Sequence, residues 1–281
     1  MISTPELKIR QMTVADHDQV TDWCNIEGWN LSRSNIEAYF ESDPESYFVG
    51  EIDGKVVCSV SATRFGECAT MDLYLVDPVH RGKGYGWAIF SHALNHLKDV
   101  KYVGLHSVPE QVATYEKSGF KLFERIPRMS RIAERMPSSD NLVDLRKIPI
   151  EKLEEYDRPY FGSSRLNFLK AILAKEDTLA LGYLKDGELR GYGMLRKQNV
   201  GYRISPMVVE DSKIAEDIIN GLQSLVVGEE VSMDVYEKSK EVLQILEDQK
   251  WNHIFDFYKM FLRGPSNLDT KKACAPVVEL G

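Results

Sequence analysis

The chain spells one series of elements twice. Residues 6–130 read as strand, two helices, three strands, helix, strand, helix, strand. "ERMPSSDN" (134–141) then has the Pro, Ser, Asp and Asn content of a linker. After it the series begins again. An alternation of this kind rules out an all-helical or all-strand fold and points to a mixed sheet covered by helices. In the first series the strands "SYFVGEID" (46–53), "KVVCSVSATR" (55–64) and "CATMDLYLV" (68–76) follow closely, and Asp53-Gly54 marks a hairpin. Asp186-Gly187 marks the matching hairpin of the second. The ends align by residue type: "EKSGFKLFERIPRM" (116–129) lies against "EDQKWNHIFDFYKM" (247–260), with Phe120 over Trp251 and Met129 over Met260. The expectation is an α/β (α+β) chain of two domains, 1–133 and 142–281, each a mixed, mostly antiparallel sheet flanked by helices.

Charge and cysteine usage narrow the function. The formal net charge is −8, which argues against a nucleic-acid partner. No apolar run nears the roughly 18 residues that span a bilayer, so no membrane partner is expected. The polar start "MISTPELKIRQM" carries no secretory signal pattern. Cys24, Cys58, Cys68 and Cys274 are scattered without zinc spacing, so no metal is expected. Free thiols suit a cytoplasmic protein.

The stretch "YLVDPVHRGKGYGWAIF" (74–90) carries the chemistry. A strand pattern enters it and an amphipathic helical pattern leaves it. Glycines there let backbone N–H groups approach an anion, and the helix start adds its own donors. A P-loop is excluded because Lys83 is followed by Gly84, and a dinucleotide fingerprint because Trp87 stands where its third glycine belongs. The segment resembles the acetyl-CoA signature R/Q-x-x-G-x-G/A of the GNAT N-acetyltransferase superfamily, in Arg81, Gly84 and Gly86. Val76 and Pro78 match its upstream V-x-P. Tyr115, Glu116, Lys117, Gly119 and Phe120 match its downstream Y-E-K-x-G-F. The resemblance covers residues 6–130. "EGWN" (27–30) and "YDRPYFGSSR" (156–165) resemble a tandem subgroup whose second copy is degenerate.

This resemblance implies two tandem GNAT-like domains and a set of roles. The CoA pyrophosphate would lie on Arg81, Gly82, Lys83, Gly84, Tyr85 and Gly86, and the pantetheine would pair with Leu75 and Val76. Tyr115 would protonate the CoA sulfur. The family's glutamate base aligns with Thr70; Asp72, two residues on and on the same face, or His106 would replace it. The family's usual Asn before the last helix is absent from "SVPEQVATY". Glu27 and Trp29, with Asp157 and Arg158 from the second half, are candidates for holding the acceptor. Placing Pro206 over Pro78 puts Val209, Ser212 and Ile214 at Arg81, Gly84 and Gly86, and Leu246 falls at Tyr115, so the second half is expected to lack the chemistry. The expected activity is acetyl transfer from acetyl-CoA to a primary amine, by direct attack and without metal. The expected partner is a small-molecule amine, and a homodimer is compatible with the sequence. The alternatives are a CoA-binding sensor or scaffold without turnover, and a protein-lysine or N-terminal acetyltransferase.

Overall fold

The computed structural model describes residues 6–264, 268–272 and 274–277. The first series comprises β1 (Lys8–Gln11), α1 (His17–Ile26), α2 (Arg33–Ser42), β2 (Tyr47–Ile52), β3 (Lys55–Phe65), β4 (Cys68–Val76), α3 (Tyr85–His96), β5 (Tyr102–Ser107), α4 (Val112–Lys117) and β6 (Lys121–Ile132). The second repeats it: β7 (Leu142–Asp144), α5 (Ile150–Phe161), α6 (Leu166–Leu173), β8 (Thr178–Lys185), β9 (Glu188–Lys197), β10 (Tyr202–Val209), α7 (Ser212–Ser224), β11 (Glu230–Asp234), α8 (Lys240–Asp248) and β12 (Asn252–Leu262). Both Asp-Gly hairpins form with positive φ at each residue, 50° and 76° at Asp53-Gly54 and 54° and 78° at Asp186-Gly187. Such paired left-handed residues match the twist of the flanking strands. Asp211 caps α7 by accepting the Ile214 N–H at 2.9 Å. Among the described residues no helix is long and apolar enough to cross a membrane.

The strands form one mixed sheet in the order β1-β2-β3-β4-β5-β12-β6-β11-β10-β9-β8-β7. The last strand of each series has crossed to the other: β12 pairs antiparallel with β5, and β6 pairs antiparallel with β11. The two exchanged strands pair with each other along most of their length. The repeats are therefore contiguous in sequence but interleaved in the sheet. The parallel pairings, β4 with β5 and β10 with β11, occupy equivalent places in the two series.

The helical layers follow the same logic. α3 packs on one face of β2–β5, burying Ile89, Phe90 and Ala93. α7 and α8 bury Ile218, Leu222 and Leu246 on the second half. On the other face, α1 and α2 share a core with α5 and α6, in which Ile36 and Tyr39 join Phe168, Leu169 and Ile172. Buried polar groups cross this joint. Arg196, fully buried, donates to Asn35 Oδ1 at 2.7 Å and Ser205 O at 2.8 Å, and also reaches the Tyr39 hydroxyl. Asn30 exchanges two 2.8 Å hydrogen bonds with the Val200 backbone. Buried donors and acceptors left without partners cost about 1–3 kcal/mol each, so the Arg196 contacts fix the relation of the halves, while the Asn30 pair lies at the exposed edge of the joint.

A chain ended after Ser138 would expose the β5 and β6 edges that β12 and β11 normally cover. Such a chain should fail to show a cooperative unfolding transition by circular dichroism. Cooperative, native-like unfolding of the fragment would contradict the interleaved sheet.

Candidate functional site

The site begins where β4 leaves β5. Their parallel pairing covers Cys68–Thr70 against Tyr102–Gly104, and beyond Thr70 the strands separate. β5 continues along β12 instead. On its other side β4 stays on β3, with one irregularity. The register passes from Ser61–Asp72 to Ser59–Leu75, so β4 carries an extra residue there. Leu73 takes φ of 47°, and the Ser59 hydroxyl donates to its carbonyl at 2.9 Å. This β-bulge bends the strand away from β5. Past it, the Asp77 N–H bonds Val57 O at 2.9 Å. Alternation along an antiparallel ladder then commits the backbone of Leu75 to β3 and turns those of Tyr74 and Val76 toward the gap. Tyr74, rather than Leu75, thus joins Val76 in presenting main chain to the opening.

The opening holds a cavity of about 660 Å³, lined by residues from five segments that are distant in sequence. At one end lies the glycine loop. Gly82 and Gly84 have φ of 75° and 87°, with open space where a Cβ would stand. Gly84 is the N-cap of α3, so that helix begins at the cavity. A Cβ on Gly86 would come within 2.6 Å of the Tyr74 hydroxyl, so only glycine lets α3 approach β4 this closely. Arg81 donates through Nε to Val76 O at 3.0 Å and pairs with Glu27. Glu27 lines the cavity, but its carboxylate is already engaged by this guanidinium and does not stand ready for a cationic amine. Trp29 also lines the cavity. The side chains of Lys83 and Tyr85 do not: Lys83 donates to Val79 O at 2.9 Å, and Tyr85 is buried in the core beside α3.

At the inner end Asp72, His106 and Tyr115 converge. Asp72 Oδ1 and His106 Nδ1 are 3.9 Å apart, with side chains 4% and 1% exposed. Tyr115 packs between Phe90 and Phe120, with ring centroids at 5.9 and 6.0 Å. Burial, followed by the nearby Tyr74 and Asp72, pushes its phenol well above the usual range, so it holds its proton at neutral pH. Register extends this polar row into the exchanged strands. His106 lies opposite Lys259 on β12, and Lys259 opposite Glu124 on β6. Directly opposed residues share a face of the sheet. Lys259 is buried, and desolvation lowers its ammonium to about 8 against the opposing pull of Asp72 and then Cys68. Glu124 accepts from the Lys238 N–H at 2.7 Å and the Thr270 hydroxyl at 2.9 Å.

The second half reaches the cavity through the exchange rather than through its first helix. Phe255 and Phe257 of β12 line it, as does Arg128 of β6. Arg128 is held by a bidentate pair with Asp234 at 2.6 and 2.8 Å and lies over the Phe257 ring at 4.7 Å. Asp157 and Arg158 lie elsewhere. Asp157 is fully buried against Arg165, at 2.7 Å to both Nε and Nη2, and accepts from the Tyr192 hydroxyl. Arg158 pairs with Glu154 one helical turn away. A fully desolvated carboxylate is tolerated because it is paired in this way, so the pair anchors α5 and lines no site.

The equivalent gap of the second half is closed. β10 and β11 pair over Tyr202–Ile204 and then part as β4 and β5 do. The C-terminal segment fills the space: Met207 and Ala275 exchange hydrogen bonds of 3.1 and 3.3 Å, and Tyr236 N donates to Cys274 O at 3.0 Å. Residues 77–84 separate β4 from α3, but only 210–211 separate β10 from α7. The loop is therefore deleted, not merely substituted. The β3–β4 ladder bulges between Asp72 and Leu75 and the β9–β10 ladder between Ile204 and Met207, so Pro206 corresponds to the bulge of β4, which corrects its alignment with Pro78. Among the described residues no cluster of three His, Cys, Asp or Glu residues suits a metal ion.

Comparison with known proteins agrees with this architecture. Residues 15–120 match the acetyltransferase (GNAT) family, and residues 153–273 match an acetyltransferase (GNAT) domain. The chain is 26% identical over 245 residues to a holothin acyltransferase of Pseudoalteromonas sp. (strain SANK 73390), covering 86% of this chain and 83% of that one. A Pyrococcus horikoshii crystal structure described as an acetyltransferase candidate superposes with a TM-score of 0.86 at 19% identity, over 100% of this chain and 98% of that one. A tandem GNAT protein from the clavulanic acid biosynthesis pathway superposes at 0.64 with 16% identity, covering 93% and 100%. At such identities the superpositions speak to the fold alone.

The buried row is measurable through Lys259. Its folded-state value near 8 lies below the ordinary 10.5, so between these pH values the unfolded chain binds the extra proton. Stability from this group therefore rises as pH rises from 8 to 10.5, by about 3 kcal/mol. Urea unfolding of the wild type and Lys259→Met should diverge over that range in the wild type's favour. A constant difference between them would place Lys259 in a solvated environment.

Proposed function

This chain belongs to the GNAT acetyltransferase superfamily, with two GNAT domains in tandem, and from that premise we propose that its first domain transfers acetyl from acetyl-CoA to a primary amine of a small molecule. One observation carries the reading: the gap between β4 and β5 meets the glycine loop at one end and Asp72, His106 and Tyr115 at the other, in one cavity. The residues fit the cosubstrate. The open positions at Gly82 and Gly84 leave room for a pyrophosphate at the start of α3. The backbone of Tyr74 and Val76 faces the gap and can pair with an extended amide chain, once Arg81 Nε yields the Val76 carbonyl. The Arg81–Glu27 pair is kept as it does so.

Acetyl-CoA supplies an activated acyl carbon. Asp72, with His106 beside it, takes a proton from the amine as the N–C bond forms. Tyr115 keeps its proton until the sulfur leaves and then donates it. A sensor without turnover would need the cradle alone, so the three titratable groups beyond it favour an enzyme. A cavity walled by the second half favours a small acceptor over a protein, and the relative named a holothin acyltransferase supports acyl transfer. The four cysteines are buried free thiols, in keeping with a reducing cytoplasm.

Two variants test the roles. Gly84→Val places a side chain in open space but in a left-handed conformation, at a cost of about 1–2 kcal/mol. It should remain folded and lose acetyl-CoA binding by calorimetry; unchanged affinity would remove the loop from the site. Tyr115→Phe should lower kcat by about 10²–10⁴ with little change in acetyl-CoA affinity. An unaltered kcat at saturating substrates would leave Tyr115 a packing residue.

A further inference from the structure

Within that reading, we propose that Lys259 of the second half is a positioning residue for the transfer: its ammonium crosses β5 over Gly104 and holds Asp72 as a carboxylate beside His106. Lys259 and Phe261 of β12 lie opposite His106 and Gly104 of β5. Opposed residues share a face of the sheet, as do residues two apart on one strand. The Lys259 side chain leans along β5 on that face: a Cβ on Gly104 would stand 2.9 Å from its Nζ and 3.1 Å from its Cε. The missing side chain at Gly104 is what leaves this path across the strand. On its far side Gly104 pairs with Thr70 of β4. Lys259, Cys68 and Thr70 line a void of about 20 Å³, and Asp72 follows Thr70 on the same face. The exchanged strand thus brings an ammonium to the stretch of β4 that carries the base. It does so from outside the large cavity, which Asp72 and His106 line and Lys259 does not.

The surrounding charges fit that role. Burial works against the Lys259 ammonium, while Asp72 and then Cys68 favour it. Burial also raises the Cys68 thiol, so at neutral pH the negative charge is that of Asp72. Glu124, opposite Lys259 on β6, is held by the Lys238 N–H at 2.7 Å, Lys238 Nζ at 3.2 Å and the Thr270 hydroxyl at 2.9 Å. Tyr47 of β2, Tyr115 of α4 and Tyr236 beyond β11 feel the Asp72 charge, and burial keeps their protons on. β3 sets the Ser61 hydroxyl opposite Asp72. Of the charged groups that line the cavity, Glu27 pairs with Arg81, His80 with Asp77 and Arg128 with Asp234, and Glu110 is exposed. A buried carboxylate without a counter-charge favours its protonated form, which is no base; an adjacent ammonium reverses that preference. Lys259 so keeps Asp72 ready to take the N–H proton as the N–C bond forms. Once Asp72 is protonated, the buried ammonium has lost its counter-charge. This drives the proton on to water and resets the base.

The test follows the Asp72 carboxyl carbon by NMR in the full chain, its resonance assigned by loss in Asp72→Asn. Lys259→Met should raise the titration midpoint of Asp72 by about 1–3 pH units, the range for losing an opposite charge close by. Gly104→Ala keeps every charge but displaces the ammonium, so it should raise the midpoint by less; it decides the matter if Lys259→Met does not fold. Thiol release from acetyl-CoA, with ethylamine as the probe acceptor, is then measured across pH. The acid limb of kcat should move with the midpoint in each folded variant, and acetyl-CoA affinity by calorimetry should stay unchanged. An unmoved midpoint would overturn the proposal, and so would a midpoint that moves while the acid limb of kcat stays. No thiol release by the wild type at any pH would remove the acyl-transfer reading itself and this role with it.

Discussion

β12 lies between β5 and β6, and the site depends on that placement. β5 gives up β4 after Gly104, and an unpaired strand edge is a liability in water. Pairing of Leu105, His106 and Ser107 with Met260, Lys259 and Tyr258 satisfies the far side of β5 and holds its end while the near side opens. The gap is thus braced by a strand from the other repeat. The same strand brings Phe255 and Phe257 to the cavity, and its partner β6 brings Arg128. One pairing supplies both the shape of the opening and much of its lining.

The two repeats show how little separates a cradle from a closed gap. Both part their fourth and fifth strands after a short parallel pairing. The first half follows the gap with residues 77–84, whose glycines leave space at the start of α3. The second has only residues 210–211 there, and its own C-terminal segment pairs with Met207 and Val209 in the gap. Backbone groups at an opening must find partners. In the second half the chain provides them, which leaves the first half as the place where a ligand can.

Much of this was legible in sequence because the patterns are local. The Asp-Gly hairpins, the glycine loop and the order of elements all depend on neighbours within a few residues. Tyr115 and the glycines reach the cavity as their motif implies, and Asp72 follows from strand alternation. What sequence did not disclose is long-range. Strand exchange is set by which edges meet in space, so the cavity positions of Phe257 and Arg128 had no local signature. Asp157 looked available because a carboxylate in a motif reads the same whether it meets a ligand or Arg165. The alignment of Phe120 with Trp251 and Met129 with Met260 did mark the exchanged strands as equivalents, and equivalence is what allows them to trade places. The bulge at Leu73 could not be read either, since no glycine announces its positive φ.

Amide hydrogen exchange with and without acetyl-CoA tests the central claim most directly, because it reports each backbone donor separately. Binding in the β4–β5 gap predicts added protection at Val76 and along Arg81–Gly86, with no change at residues 206–212 of the second half. Protection absent from the glycine loop, or centred on the second half, would contradict the account.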